Sequence, residues 1–264
     1  MIDAAYLPFY RINELAIFAQ NVRLLRPGEA ALCVDYVHDE WLGEFVKRRL
    51  AELGVGNPTL FLGNWQNRSS CLLRLVKYIV ERGGDGLIVD SDDLLAEEFL
   101  KIDERLDRPL YHVSDIPWQS PRVRRAFENG VEVYYWRVKR LVGRTMHVFA
   151  GPKQAIRIKR PVVSTAAVDE VLKAVESLDP LFARVIADET ALGIVYDKSG
   201  IEEVPFVVAA IHLRHQSYPK LGYSKQLWRK IYAMALARLY LKTGYYLPAL
   251  RYAATSLVYS LVMI

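Results

Sequence analysis

Short apolar runs alternate with segments of helical periodicity over residues 4–89, and this alternation restricts the fold more than any other feature. The apolar runs and the helical segments between them cover, in order, residues 4–9, 10–25, 30–37, 39–54, 59–63, 67–84 and 86–89. Strands that are apolar almost throughout are typical of sheets covered by helices on both faces. We therefore predict an α/β protein with a mostly parallel, doubly wound sheet.

The predicted elements become less regular after residue 105. Further strands are predicted over 108–116, 131–142, 145–151 and 204–215, and helices over 120–130 and 167–178. From Ser224 the chain is predicted to form two helices that break near Gly244. This pattern divides the chain into an α/β domain, residues 1–222, and a helical C-terminal extension, residues 223–264.

Some expectations concern single positions in these elements. Trp41 is expected on the inner side of the second helix, where it would join the core. Ser69 or Ser70 is expected to cap the third helix, because a hydroxyl there can accept a bond from the first free amides. Asp93 is expected to cap a helix that follows the fourth strand.

The composition is that of a globular protein with a large core. The chain has 264 residues, of which 52% are hydrophobic and 25% are charged. It contains no low-complexity segment or internal repeat, which excludes a disordered chain. The net charge of +5 favours anionic ligands without choosing among phosphates, nucleic acid and lipid headgroups. Abundant Arg, Tyr and Leu with few Gln favour a thermophilic source.

The two cysteines, Cys33 and Cys71, both lie in apolar sequence. They are expected to be separate, reduced core residues of a cytoplasmic protein and not a disulfide pair. The N-terminal residues show no basic segment followed by an apolar one, so a signal peptide is not expected.

Three carboxylates, Asp90, Asp92 and Asp93, follow the apolar run 86–89 within four residues. Like charges at this spacing raise one another's pKa unless a positive group or solvent compensates them. Asp90 and Asp92, as alternate residues leaving a strand, can turn toward one Mg²⁺ or Mn²⁺ ion, since these cations prefer oxygen ligands. Ligands of such sheets also bind at the carboxyl ends of the strands. A divalent-metal site is the sharper interpretation, and a solvated helix start is the simpler one.

Four motifs occur in order within residues 1–115: LPFYR after the first strand, CVDYV in the second, NWQNRSSCLLRLV at the third helix and LIVDSDD in the fourth strand. This order resembles the nucleotide-binding half of glycosyltransferases with the A-type fold, in particular the family 2-like group. The resemblance implies a nucleotide-sugar donor whose base contacts Asp35, a donor site that includes Asp90, and Mn²⁺ or Mg²⁺ as cofactor.

Residues 116–222 resemble the acceptor half of the same enzymes in the order of residue types. HVFAGPKQ would supply the glycine of the donor loop, Gly151, and VIADETALG would supply the catalytic base, Asp188 or Glu189. If the reaction inverts the anomeric centre, such a carboxylate takes the proton of the acceptor hydroxyl. Arg68, which opens the third helix, is predicted to bind the donor phosphates through its charge and bidentate geometry.

The resemblance also implies a late histidine in the metal site, and AAIHLRHQS offers His212 and His215. We favour His215, which would complete the coordination begun by Asp90 and Asp92, because it lies nearer the strand end. His212 lies within an apolar run and is interpreted as a hydrogen-bonded core histidine.

Each of these residues also has a structural interpretation that stays open at this point. Asp35 can cap a turn and Gly151 can simply precede a turn at Pro152, while Asp188 and Glu189 can form a solvated helix start.

The rival functions are a haloacid-dehalogenase-like phosphatase, a non-catalytic scaffold and a nucleic-acid-binding module. The phosphatase motif requires Thr or Val where this chain has Leu94, and a sugar-phosphate nucleotidyltransferase requires a glycine-rich start that is absent. No nucleic-acid-binding signature is found, so nucleic acid is not expected as a partner. The expected partners are the nucleotide-sugar donor and a glycan, lipid or protein acceptor. The apolar last helix leaves open a homo-oligomer contact, a membrane-surface contact or a marginal membrane span.

Overall fold

The computed structural model describes residues 1–8, 14–35, 41–63, 67–142, 145–213 and 225–261, and the structural statements refer to these parts of the chain. Its elements in chain order are β1 (Ile2–Pro8), α1 (Leu15–Leu25), β2 (Glu29–Asp35), α2 (Trp41–Glu52), β3 (Thr59–Gly63), α3 (Arg68–Glu81), β4 (Gly86–Asp90), β5 (Asp93–Leu95), α4 (Glu98–Arg105), β6 (Leu110–Ser114), β7 (Val123–Glu128), β8 (Val131–Arg137), β9 (Lys139–Val142), β10 (Thr145–Val148), β11 (Ala155–Ile158), α5 (Thr165–Glu176), α6 (Pro180–Ala183), α7 (Asp188–Lys198), β12 (Glu203–Val208), β13 (Ala210–His212), α8 (Lys225–Lys242) and α9 (Tyr246–Leu261).

The main sheet within the described residues has nine strands in the order β3-β2-β1-β4-β11-β6-β12-β8-β7. β3, β2, β1 and β4 are parallel. β11 runs antiparallel between β4 and β6, and β12 is parallel to β6 and antiparallel to β8. The predicted α/β class is confirmed. The predicted parallel arrangement holds for the first half of the sheet, whereas the second half is mixed.

Alternate residues of β2 show why the strands are apolar throughout. Ala31 and Cys33 belong to the core cluster that includes α3, whereas Leu32 and Val34 belong to the cluster formed with α1 and α2. Because successive side chains of a strand point to opposite faces, helices cover this part of the sheet on both sides.

Residues 120–130, predicted as a helix, instead contain the edge strand β7, which pairs antiparallel with β8. Asn129 and Gly130 join the two strands with φ values of 50° and 77°. Positive φ at both central residues fits a tight two-residue hairpin turn, for which Asn-Gly is strongly preferred. The helix prediction is wrong because this turn and the pairing with β8 outweigh the local helical spacing.

Two of the positional expectations for the early helices are also wrong. Trp41 is 56% exposed, because the buried face of α2 follows the spacing Leu42, Val46 and Leu50 and turns Trp41 to solvent. The cap of α3 is Asn67 and not a serine, since the Asn67 side-chain oxygen accepts a bond from the Ser70 amide at 3.0 Å. The helix itself spans Arg68–Glu81, within the predicted segment.

Cys33 and Cys71 form a disulfide, which corrects the expectation of two reduced thiols. Cys33 lies on the face of β2 that α3 covers, and Cys71 lies in the first turn of that helix. The packing of helix on strand brings their Cα atoms to 5.7 Å, within the range that a disulfide can bridge. The spacing along the chain gives no sign of this contact, because the two residues are 38 positions apart.

The C-terminal helices α8 and α9 pack against each other and are separated by Gly244, whose φ of 84° suits the predicted break. In the described part of the chain, no helix combines the length and apolarity needed to cross a membrane. The division into residues 1–222 and 223–264 stays a prediction.

Candidate functional site

The candidate site lies where the parallel strands end. β4 ends at Asp90, and a turn at Ser91 and Asp92 leads directly into the short strand β5. β5 pairs antiparallel with β13, which places Asp93 opposite His212. Asp93 therefore begins a strand, and the prediction that it caps a helix is wrong.

Asp92, Asp93 and His212 form one compact group, which we call the acid–histidine group. Each offers a ligand atom within 4.8 Å of the other two. His212 Nδ1 lies 2.8 Å from Asp93 Oδ1. Asp92 and Asp93 are only 7% and 1% exposed. Burial, together with the nearby charges of Asp90 and Asp92, raises the pKa of Asp93 to about 9.

The backbone that carries this group is fixed from two sides. Asn21 of α1 is buried, and its amide donates to the Asp93 carbonyl at 3.0 Å while its oxygen accepts from the Leu95 amide at 3.1 Å. On the other side, the Leu213 amide donates to the Asp92 carbonyl at 2.9 Å. Both carboxylates thus stand on backbone that hydrogen bonds hold in place, as a preorganised site requires.

A second group, the four-charge cluster, consists of Arg68, Lys153, Asp90 and Asp188. Arg68 Nε lies 3.0 Å from Asp188 Oδ2, and the same guanidinium pairs with Asp90. Lys153 Nζ lies 2.8 Å from Asp188 Oδ2 and 3.5 Å from Asp90 Oδ1. The cluster joins the end of β4 to the first residues of α3 and α7.

The protonation of this cluster follows from its pairing. Burial alone would raise the pKa of Asp188, but Arg68 and Lys153 hold it well below its usual value. Burial opposes the charge of Lys153, and Asp188 and Asp90 nevertheless raise its pKa above the usual value. Glu189 behaves differently, because burial and the neighbouring Asp188 raise its pKa to about 8. The pKa values of these two adjacent carboxyl groups are thus far apart: Asp188 is held ionised, and Glu189 titrates near neutral pH.

The loop that carries Lys153 is held by buried partners. His112 Nδ1 lies 3.2 Å from the Pro152 carbonyl, and His112 Nε2 lies 2.9 Å from the Tyr196 hydroxyl. Nδ1 therefore donates to the carbonyl and Nε2 accepts from the hydroxyl, which is a neutral imidazole. Gly151 has a φ of 93°, and a Cβ at this position would meet Trp136 Cγ at 2.6 Å. The close approach of the residue 151 backbone to the Trp136 ring thus requires a glycine, independently of any contact between Gly151 and a donor.

The structure brings together several of the residues predicted from the sequence. Arg68, Asp90 and Asp188 share the four-charge cluster, and Glu189 is adjacent to it. Asp92 lies instead in the acid–histidine group. Asp90 as a metal ligand stays a prediction, and its carboxylate contacts Arg68 and Lys153.

Two predicted residues fall at or beyond the limits of the described chain. His215 lies outside the described residues. Asp35 ends β2 at the same sheet edge as Asp90, but its side chain is outside what the structure describes.

Sequence reasoning missed Lys153, and it interpreted His212 as a core histidine. The pairing of β5 with β13 places His212 beside Asp93, and no local pattern announces that pairing. The preference for His215 stays a prediction. Lys153 also had no local signal, because a residue directly before a strand of a parallel sheet lies at the opposite edge. Lys153 reaches the edge of Asp90 because β11 runs antiparallel to β4.

No protein-family model and no curated protein matches the chain. Several solved structures resemble it. S. aureus TarS 1–349 is similar over 92% of this chain and 65% of that chain, with 14% identity and a TM-score of 0.43. The glycosyltransferase GlyE of Streptococcus pneumoniae TIGR4 is similar over 92% and 62%, with 11% identity and a TM-score of 0.38. The nucleoside-diphosphate-sugar pyrophosphorylase of Vibrio cholerae RC9 is similar over 81% and 95%, with 9% identity and a TM-score of 0.44.

This chain spans less than two thirds of the TarS fragment and of GlyE. All three TM-scores are below 0.5, and we base the functional proposal on the residues of the site alone.

Proposed function

We propose that the protein is a metal-dependent glycosyltransferase that moves a sugar from a nucleotide-diphosphate donor to an acceptor hydroxyl. One observation carries this proposal: the acid–histidine group and the four-charge cluster are adjacent, at the edge where parallel strands end. The first group has the ligands of a divalent cation, and the second has two cations that can face a diphosphate. Ligands of open α/β sheets bind at this edge.

The acid–histidine group fits a divalent metal by the chemistry of its donors. It offers two carboxylates and one imidazole within 4.8 Å of one another. The oxygen atoms suit Mg²⁺ and Mn²⁺ alike, and the nitrogen favours Mn²⁺ over Mg²⁺. When bound there, the ion would act as a Lewis acid and neutralise the charge that develops on the diphosphate leaving group.

Arg68 and Lys153 are the residues that we assign to the donor phosphates. Both side chains are largely withdrawn from solvent, with exposed fractions of 23% and 1%. Their present partners are the carboxylates of Asp90 and Asp188, which orient both cations, and a diphosphate would bind to the cations alongside these carboxylates. The buried Asn67 side chain also has an Nδ2 atom that finds no hydrogen-bond partner among the described residues. It adds a donor beside Arg68 at the start of α3.

Glu189 suits the role of general base better than Asp188. Asp188 is paired with two cations, which makes its carboxylate a poor proton acceptor. Glu189 titrates close to neutrality, where a base works best. We therefore assign proton removal from the acceptor hydroxyl to Glu189 and orientation of Arg68 and Lys153 to Asp188.

The phosphatase alternative assigns a different role to Asp90. A phosphatase nucleophile has to reach a phosphomonoester, but the Asp90 side chain is 13% exposed and pairs with Arg68. This geometry favours Asp90 as an anchor for the cations. Hydrolysis of p-nitrophenyl phosphate that depends on Asp90 would instead support the phosphatase.

The proposal can be tested by thermal denaturation with MnCl₂ and with UDP, GDP or dTDP, each alone and in combination. We expect metal plus one nucleotide at about 100 times its dissociation constant to stabilise the protein by about 2.7 kcal/mol. That gain corresponds to a rise in melting temperature of about 5–10 °C for a chain of this size. Asp92→Asn and His212→Gln should lose the rise that depends on metal.

Glu104→Gln is the matched control, because it neutralises an exposed carboxyl on α4 that belongs to neither group. It should keep the full shift. A shift of unchanged size in Asp92→Asn, or no shift with any metal and nucleotide, would contradict the proposal. With a donor that binds, release of the nucleoside diphosphate from its sugar conjugate should be lost in Glu189→Gln while the thermal shift remains.

A further inference from the structure

The outward side of α9 is apolar and exposed. Leu247, Leu250, Leu257 and Val258 are 57–68% exposed, and they recur at helical spacing on one side of the helix. Ala253 and Ala254 are also exposed within the same stretch. An exposed apolar stripe of this length is unusual on a soluble monomer and marks an interaction surface.

The opposite side of α9 is already packed. Ala249 and Ser256 are buried, and the Tyr252 ring stacks on Tyr240 of α8 at 5.8 Å between centroids. His147 of β10 also contacts Tyr252 at 2.9 Å. The helix is therefore fastened to the fold by one side, and the apolar side is turned away from the described residues.

The charge of this region identifies the partner. Residues 225–261 contain no Asp or Glu and six basic residues: Lys225, Arg229, Lys230, Arg238, Lys242 and Arg251. The segment thus carries a charge of +6, and the rest of the chain carries −1. A second copy meeting this face would bring two exclusively positive segments together, which like-charge repulsion opposes. An anionic surface complements the segment instead.

We propose that α9 docks on an anionic lipid bilayer, with its apolar side among the headgroups and upper acyl chains. The 16 described residues of α9 are about 24 Å long, which is less than the hydrocarbon core of a bilayer, and a helix with one apolar side is suited to lie in the interface plane. The exposed Tyr246 and the basic residues Lys242 and Arg251 flank the apolar residues, as is common where a helix meets headgroups. This inference does not depend on the proposed activity.

The test is flotation of the full chain with vesicles of phosphatidylcholine alone and with about 30% phosphatidylglycerol, a common proxy for an anionic leaflet. We expect binding to the acidic vesicles, weakened by high salt, and much weaker binding to the neutral ones. Leu250→Asp should reduce binding by about tenfold or more, because it removes a leucine that the bilayer would bury and adds a negative charge that the anionic lipids repel. Circular dichroism should show an unchanged fold, since Leu250 is 68% exposed.

Leu100→Asp is the matched control, because it makes the same change at a leucine of α4 that is 42% exposed. It should bind the acidic vesicles as the parent chain does. Absence of binding to acidic vesicles, equal binding to neutral ones, or equal binding by Leu250→Asp would overturn the proposal. A dimer in sedimentation that Leu250→Asp dissociates, without vesicle binding by the parent chain, would show that a second copy covers the face.

Discussion

Lys153 Nζ lies 2.8 Å from Asp188 Oδ2 and 3.5 Å from Asp90 Oδ1, so one buried ammonium joins carboxylates from the start of α7 and the end of β4. With Arg68 on the same two carboxylates, charges of opposite sign are balanced within the cluster. The balance matters because an unpaired charge in such a buried place is costly.

We predict that Lys153→Met lowers the free energy of unfolding by about 3–5 kcal/mol, because it leaves two buried carboxylates with one cation. Urea denaturation provides the measurement. Lys101→Met on the exposed side of α4 is the control and should change stability by less than about 0.5 kcal/mol. The double variant Lys153→Met/Asp188→Asn should lose less than the sum of the single losses, since the two side chains contact each other. Additive losses would show that the contact contributes nothing.

We predict that the buried His112 makes the free energy of unfolding depend on pH. Burial lowers its pKa to about 3 in the folded chain, against an ordinary value of 6.5. The unfolded chain therefore binds a proton between these values while the folded chain does not. Stability is complete above pH 6.5 and falls as the pH drops toward 3.

The measurement is the free energy of unfolding of the parent chain and of His112→Gln at several pH values from about 7 down to about 4.5. The advantage of the parent should shrink on acidification by at most about 1.4 kcal/mol per pH unit. Carboxylates titrate equally in both proteins and cancel in the difference. A constant difference across the range would mean that folding leaves the pKa of His112 unchanged.

The disulfide predicts a large effect of reductant on stability. The bond closes a segment of 38 residues, for which the chain-entropy model gives about 4 kcal/mol of stabilisation. Guanidinium denaturation should shift to lower concentration when the protein is unfolded and refolded with a reductant, whereas Cys33→Ala/Cys71→Ala should not respond. Titration of the non-reduced, unfolded chain should find no free thiol, and two free thiols would contradict the bond.

Gly151 and Gly200 form a matched pair for the effect of a single methyl group. Both have positive φ, at 93° and 76°, but only at Gly151 would a Cβ meet another side chain, that of Trp136. Gly200→Ala should therefore cost only the backbone strain, about 1 kcal/mol. Gly151→Ala should cost at least about 1 kcal/mol more, because overpacking adds to the strain. Thermal denaturation of the two variants measures the difference, and equal losses would exclude the Trp136 contact as the cause.

Local pattern predicted the first half of the fold well. β1 to β4 and the helices between them follow from runs of apolar residues that fill two cores at once, as in β2. Residues 120–130 show the limit, because the spacing within Val123–Glu128 is compatible with a helix until the turn at Asn129 and the partner strand β8 are known. Edge strands have one neighbour and one solvent face, and their sequences carry little periodic signal.

The residues of the candidate site were predictable where a charged side chain directly follows a strand or begins a helix. Asp90 and Asp92 stand out because carboxylates interrupt an apolar run, and Arg68 and Asp188 stand at helix starts. The pairings of Asp93 with His212, and of Cys33 with Cys71, depend on which elements become neighbours in space. Such contacts leave no trace in the spacing of residues along one chain.

The ladder between β5 and β13 joins Asp93 to His212 across 119 positions of the chain. Pairings of this separation form late, after the local elements whose closure entropy is smaller. A nascent polypeptide that has left the ribosome as far as β5 already carries Asp92 and Asp93, yet it lacks the imidazole of His212. The acid–histidine group is complete only when β13 has paired with β5, so occupancy by an ion would report that this pairing has formed.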